Sequence, residues 1–302
     1  MKKFFLLAIS VFFFSCSYAQ IDKRKMMFML MNSSISDVNP NIALGNALLT
    51  TNAKTRAYWD FTQIVGDDWD ILTSHPDISV NGTYNLINNS GAFSPSLGFF
   101  NVGEKVISTI RARTTSGVNN AFITSQVATA LSNGEREFHY LFTLQDGRQP
   151  DGNRLAGILA NNGVTLITRI DSSGKILFNF GYGGNTCTYL SDNSVISDNV
   201  TDIHLLRIRM TTTSVTMMLD GVVIPCSLSA GVAISTITLS GFSTPLTYGV
   251  GGVIGNANNN TIFRTDGSIP YKYIIKHAVT DLLTDEEYLQ LVASFNDFTS
   301  VY

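Results

Sequence analysis

Charge is what this 302-residue sequence has least of: Asp, Glu, Lys and Arg make up 14% of it, against about 25% in an average soluble domain. Neither sign dominates, with 20 Lys and Arg against 23 Asp and Glu. No positive excess exists to neutralise phosphates, so a nucleic-acid-binding surface is excluded. Three cysteines are too few for a small domain stapled by disulfides. Beyond the N-terminus no apolar run approaches the roughly 20 residues a spanning helix needs, which argues against an integral membrane protein. Disorder is excluded from the other side, because 44% hydrophobic residues can repay the entropy of ordering.

Catalytic signatures are missing too. There is no Gly-x-Ser-x-Gly nucleophile motif. Ser172-Ser173-Gly174-Lys175 lacks the first glycine of a phosphate loop, and the glycines at 249, 251, 252 and 255 miss the dinucleotide spacing. His75, His139, His204 and His277 are isolated, so a zinc site would need ligands from distant positions.

The N-terminus is informative. Met1-Lys2-Lys3 is basic, residues 4–14 are apolar apart from Ser10, and Ser17-Tyr18-Ala19 places small residues where a signal peptidase reads them. Residues 1–19 are therefore expected to be a signal peptide, making the protein secreted or cell-surface. An alternative makes Cys16 the lipid-bearing residue of a lipoprotein anchor. Cys187 and Cys226 remain, and either one disulfide or two free thiols fits an exported chain.

Residues 20–55 are expected to form an N-terminal arm, with 32–46 read as a loop or extended segment from its Asn, Pro and Gly content. Within the arm, Met26-Met27-Phe28-Met29-Leu30-Met31 is soft and apolar. It could pack on its own domain or dock on a neighbour in a homo- or hetero-oligomer.

From residue 56 to 302 the hydrophobic period is two. Phe138, Tyr140, Phe142 and Leu144 alternate on one face. Further strand-like runs occur at 58–61, 106–112, 155–159, 164–170, 175–180, 203–210, 215–219, 234–239, 248–254 and 271–278. Asp220-Gly221 between two apolar runs is a type I′ hairpin signal. One helix is expected at the C-terminus: Thr284 and Glu287 form a capping box, Leu283 and Tyr288 a hydrophobic staple, and Tyr288, Leu291, Val292 and Phe295 one apolar stripe. The expectation is an all-β fold, a two-sheet antiparallel jelly-roll sandwich with one short C-terminal amphipathic helix.

The aromatic strand Arg56-Ala57-Tyr58-Trp59-Asp60-Phe61, the Asp220-Gly221 hairpin and the late strand running into Leu283-Thr284-Asp285-Glu286-Glu287 resemble the laminin G-like, concanavalin A-like lectin/glucanase superfamily over residues 56–298. The resemblance implies the jelly roll and leaves function open, because that fold hosts lectins, hydrolases, lyases and structural modules.

Glucanases of this superfamily carry their carboxylates on one strand as Glu-x-Asp-x-x-Glu. Glu135-Arg136-Glu137 is the nearest match and lacks the central Asp and the final Glu; it reads as solvated charges entering a strand. Arg207 and Arg209 read likewise as an outward pair on a sheet surface. Calcium is the one cofactor suggested, because Asp67, Asp68 and Asp70, and Asp146, Asp151 and Asn153, cluster oxygen donors in loops. Trp69, Arg148 and Asn153 are candidate ligand contacts, while Trp59 reads as core. The functional expectation is a non-enzymatic binding module for carbohydrate or a surface protein. The alternatives are an assembly subunit docking through its arm and a glycan-degrading enzyme with an unrecognised site.

Overall fold

The computed structural model describes residues 40–66, 72–88, 96–102, 105–113, 122–124, 134–144, 153–161, 164–197, 203–239, 248–250, 254–255 and 271–300. The segments 16–31, 67–70 and 145–152, and with them Cys16, Met26 to Met31, Asp67, Asp68, Trp69, Asp70, Asp146, Arg148 and Asp151, lie outside the described residues.

The architecture is an all-β sandwich of two sheets. The first contains β1 (Thr55–Asp60), β4 (Ser96–Val102), β5 (Lys105–Arg113), β7 (Arg136–Thr143), β12 (His204–Met210), β13 (Val215–Leu219), β14 (Val222–Ile224) and β18 (Tyr271–Thr280). Its order is β14-β13-β12-β7-β18-β5-β4, with β1 also on β18. The second contains β2 (Ser74–His75), β3 (Leu86–Asn88), β6 (Phe122–Thr124), β8 (Asn153–Asn161), β9 (Val164–Ile170), β10 (Ile176–Tyr182), β11 (Asn185–Ser191), β15 (Cys226–Gly231), β16 (Gly249–Val250) and β17 (Ile254–Gly255). Its order is β15-β11-β10-β9-β8-β16-β6-β3-β2, with β17 on β8. That last pairing is parallel; the other described pairings are antiparallel. At Pro225 the chain passes from the edge of one sheet to the edge of the other.

Between the sheets, Phe138, Tyr140 and Phe142 of β7 pack with Trp59, Phe178, Phe180, Leu206, Ile208 and Tyr248, all fully buried. The alternation in β7 would leave Glu137, His139, Leu141 and Thr143 facing water, yet these too are buried. The reason is a second apolar layer on the outer face, where Tyr58, Leu141, Leu205, Ile275 and Ala278 meet Leu48 and Leu49 of α1 (Pro40–Thr51) and Tyr288, Leu291 and Phe295 of α2 (Asp285–Ser300). Burying a large apolar side chain contributes about 1.5–3 kcal/mol, so the stripe of α2 alone anchors it by several kcal/mol.

The local signals behave as their chemistry demands. In the capping box the Thr284 N–H donates to Glu287 Oε2 at 2.8 Å, and the Glu287 N–H donates to Thr284 Oγ1 at 3.2 Å. Asp220 and Gly221 take φ values of 53° and 80°, as a type I′ turn requires at both central positions. Elsewhere the expectations need correction. Part of the presumed loop at 32–46 belongs to α1, which opens on Pro40, a residue preorganised for the first helical position. A Cβ at Gly45 would collide with the Gln290 carbonyl, so this glycine lets α1 lie directly against α2. Residues 234–239 form no strand: Ile234–Thr236 is a 3-10 turn, although its apolar residues Ile234, Ile237 and Leu239 still reach the core. In the run at 248–254 the described residues include strands at 249–250 and 254–255.

Candidate ligand-binding cleft and the buried carboxylate beside it

An open cleft of about 330 Å3 lies where β7 begins, within the size range of small-ligand sites. Gly134 (φ +93°) turns the chain into β7 and donates its N–H to the Leu239 carbonyl. Thr212, in the tight turn joining β12 to β13, donates its N–H and Oγ1 to Glu135 Oε1 at 2.8 and 3.2 Å. Ser235, Thr236, Ile237, Thr238 and Leu239 complete the described wall. Ile237 and Leu239 are 5% exposed and supply an apolar floor, while the hydroxyl residues Thr212, Ser235, Thr236 and Thr238 are exposed at the rim. One Glu135 oxygen is held by the turn; among the described residues Oε2 has no hydrogen-bond partner, which leaves it to a donor from outside.

Two residues along, on the outer face of β7, Glu137 does the opposite. Its side chain is fully buried. Arg207 grips it bidentately, Nε to Oε2 at 3.1 Å and Nη2 to Oε1 at 2.7 Å. Arg209 Nε approaches Oε1 at 3.2 Å, and the Leu283 N–H donates to the same oxygen at 3.3 Å. His139 Nε2 lies 3.4 Å from Oε2. Burial pushes the Glu137 pKa upward, but His139 and Arg207 outweigh it and hold the carboxylate below its ordinary value. Tyr288 of α2 lies over the Arg207 guanidinium, 3.8 Å from ring centroid to Cζ. The reading of Glu137 and Arg207 as solvated surface charges is therefore corrected: they form a buried ion pair that fastens α2 to the sheet. With its lone pairs committed to these donors, Glu137 is not available as an acid or nucleophile.

Two of the four histidines that look isolated in sequence meet in space. His139 and His277 occupy neighbouring strands, and His277 Nδ1 donates to the His139 carbonyl at 2.8 Å. Tyr248 donates its hydroxyl to His277 Nε2 at 2.8 Å, and Tyr140 donates to Thr168 Oγ1 at 3.0 Å. Trp59 and Tyr140 stack on the His277 ring at 5.3 and 4.3 Å between centroids. Burial pushes the His277 pKa down to about 3, and the imidazole is neutral. This is core satisfaction rather than a metal site. Among the described residues no group of three His, Cys, Asp or Glu is placed to hold a metal ion.

Of the candidate contacts predicted from sequence, Asn153 opens β8; Trp59, read as core, is fully buried, its Nε1–H donating to the Tyr84 carbonyl at 2.9 Å. The register places the exits of β1 and β7, which lead into the two acidic segments, towards the end of the sheet opposite the cleft: Thr55 and Glu137 both pair with Thr280, whereas Asp60 and Leu141 both pair with Lys276. Cys187 and Cys226 are free thiols. They sit on adjacent strands with Cys187 opposite Gly231 and Cys226 opposite Ser191. An offset of four residues at about 3.4 Å each exceeds the roughly 7 Å that a disulfide spans, which removes the disulfide alternative. The cleft itself escaped sequence reasoning because Glu135 is assigned to a failed glucanase pattern, and 234–239 to a strand.

No family model matches the chain, nor does any curated protein. Solved structures do. They include the binding domain of botulinum neurotoxin DC in complex with rat synaptotagmin II (TM-score 0.52, 8% identity, 81% of this chain and 52% of that one). The same domain in complex with SialylT gives a TM-score of 0.51 at 11% identity over 80% and 51%. A structure concerning botulinum neurotoxin type C, whose cell entry depends on interaction with two ganglioside molecules, gives 0.52 at 10% identity over 82% and 53%. The chain spans about half the length of these structures. At such identities the likeness shows the fold alone, a β-rich sandwich.

Proposed function

We propose that the protein is a non-catalytic binding module that seats a hydroxyl-rich ligand, a glycan, in the Glu135 cleft. The observation that carries this reading is the pairing of an unoccupied Glu135 oxygen with exposed hydroxyls around an apolar floor. Sugars present rows of hydroxyl donors and acceptors over apolar C–H faces, and such a lining answers both. Hydrolysis needs a second carboxylate at defined separation. Glu135 is the single carboxylate among the described lining residues, and its neighbour Glu137 is consumed by Arg207.

The N-terminal pattern supports placing the module outside the cell, secreted or held at the surface through Cys16. The laminin G-like, concanavalin A-like resemblance belongs to the same proposal and rests on the Leu283-Thr284-Asp285-Glu286-Glu287 helix entry. Calcium would be held by Asp67, Asp68, Asp70, Asp146, Asp151 and Asn153, where it would order a loop rather than do chemistry. A glycan array probed with the purified full chain tests the function. Retention of at least one glycan without release of reducing ends is expected. Failure to retain any glycan, or turnover of those retained, would overturn it.

A further inference from the structure

Glu135 is the only charged residue among the described residues lining the cleft. The undescribed stretches that adjoin its walls in sequence, 125–133 and 240–247, contain no Asp, Glu, Lys, Arg or His. The nearest cation along the chain, Arg136, is engaged by other groups: its Nη1 lies 2.8 Å from Asp281 Oδ1 and donates to the Glu135 carbonyl at 2.6 Å. The Arg136 side chain is only 11% exposed. Among the described lining residues the cleft therefore offers a ligand one negative charge and no positive one.

Such a site discriminates by charge. An ammonium group placed against Glu135 Oε2 makes a charge-assisted hydrogen bond, stronger than the bond from a neutral hydroxyl. A carboxylate or sulfate brought to the same place meets repulsion, and among the described lining side chains it finds only hydroxyl donors. Resting on the glycan reading above, we propose that the cleft selects sugars bearing a free amine, accepts neutral ones more weakly, and excludes anionic ones. Ser235 and Thr238, exposed at the rim, supply hydroxyls for the remaining sugar oxygens, and Ile237 and Leu239 lie beneath the ring.

The test compares three probes of similar length on the full chain by isothermal titration: a glucosamine oligomer, its N-acetylated counterpart and a sialylated oligosaccharide. At low ionic strength and neutral pH the amine-bearing oligomer should bind at least fivefold more tightly than the N-acetylated one, with no measurable binding of the sialylated probe. In Glu135→Gln the preference for the amine should fall to less than twofold. Thr238→Val, which keeps the charge and removes one hydroxyl, should weaken both binding probes alike. Equal affinity for all three, or tighter binding of the sialylated probe, would overturn the charge selection while leaving the glycan reading intact. An amine preference that survives in Glu135→Gln would place the selecting group elsewhere and overturn the assignment to this cleft. Absence of binding by any probe, together with an empty glycan array, would remove the glycan reading itself and this inference with it.

Discussion

Replacing Glu137 by Gln keeps the volume of the side chain and removes its charge, which isolates the contribution of the ion pair beneath α2. In the native protein the carboxylate is fully buried and Arg207 is 4% exposed, so water can replace neither partner. An amide in its place still offers one acceptor, but turns an N–H2 group towards guanidinium donors. Arg207 is left as a buried charge without its counter-ion, a loss of about 3–5 kcal/mol. For a domain of this size that corresponds to a fall in melting temperature of about 6 to 20 °C. Urea denaturation followed by tryptophan fluorescence provides the free energy, since Trp59 reports on the core. A paired replacement, Glu137→Met with Arg207→Met, removes both charges and should recover most of the loss, because an apolar pair of similar volume escapes the desolvation cost. A single substitution costing less than about 1 kcal/mol, or a double variant less stable than Glu137→Gln, would refute the claim that this pair fastens the helix.

Stability should also fall with acid. Burial lowers the pKa of His277 to about 3 and of His75 to about 4, so both stay neutral when folded and protonate on unfolding. Their contribution is complete above about pH 6.5, and each loses roughly 1.4 kcal/mol per pH unit below it until the folded values are reached; between pH 7.5 and 5 the two should account for about 4 kcal/mol by denaturant titration, and a flat profile would contradict their neutral burial. Thr284→Ala should cost about 1 kcal/mol through the lost N-cap, and Thr284→Ser should restore most of it. Thiol labelling under denaturing, non-reducing conditions should modify both Cys187 and Cys226, whereas an unlabelled pair would show a bridge that the register forbids.

Much of this fold is legible in the sequence because its signals are local. The Asp220-Gly221 turn and the Thr284 to Glu287 box each need only a few neighbouring residues to form. The double burial of β7 is not legible: Glu137 and His139 look like the polar face of a strand until α1 and α2 cover them, and a covering helix is a tertiary fact. Helix α1 itself hides behind Asn41, Gly45 and Asn46, poor helix formers whose cost is offset by Leu48 and Leu49 packing below. The cleft is hidden for a related reason. Glu135, Thr212 and Thr238 are far apart along the chain, and only the start of β7 beside the β12 to β13 turn brings them together.

The central claim, that ligand is held at Glu135, is tested most directly by the dissociation constant of the tightest-binding glycan for the wild-type chain and for Glu135→Gln, measured by isothermal titration on protein whose melting temperature is unchanged. A hydrogen bond to a charged group is worth about 1.5–3 kcal/mol, so the substitution should weaken binding by roughly 10- to 150-fold. An unchanged dissociation constant would contradict the account.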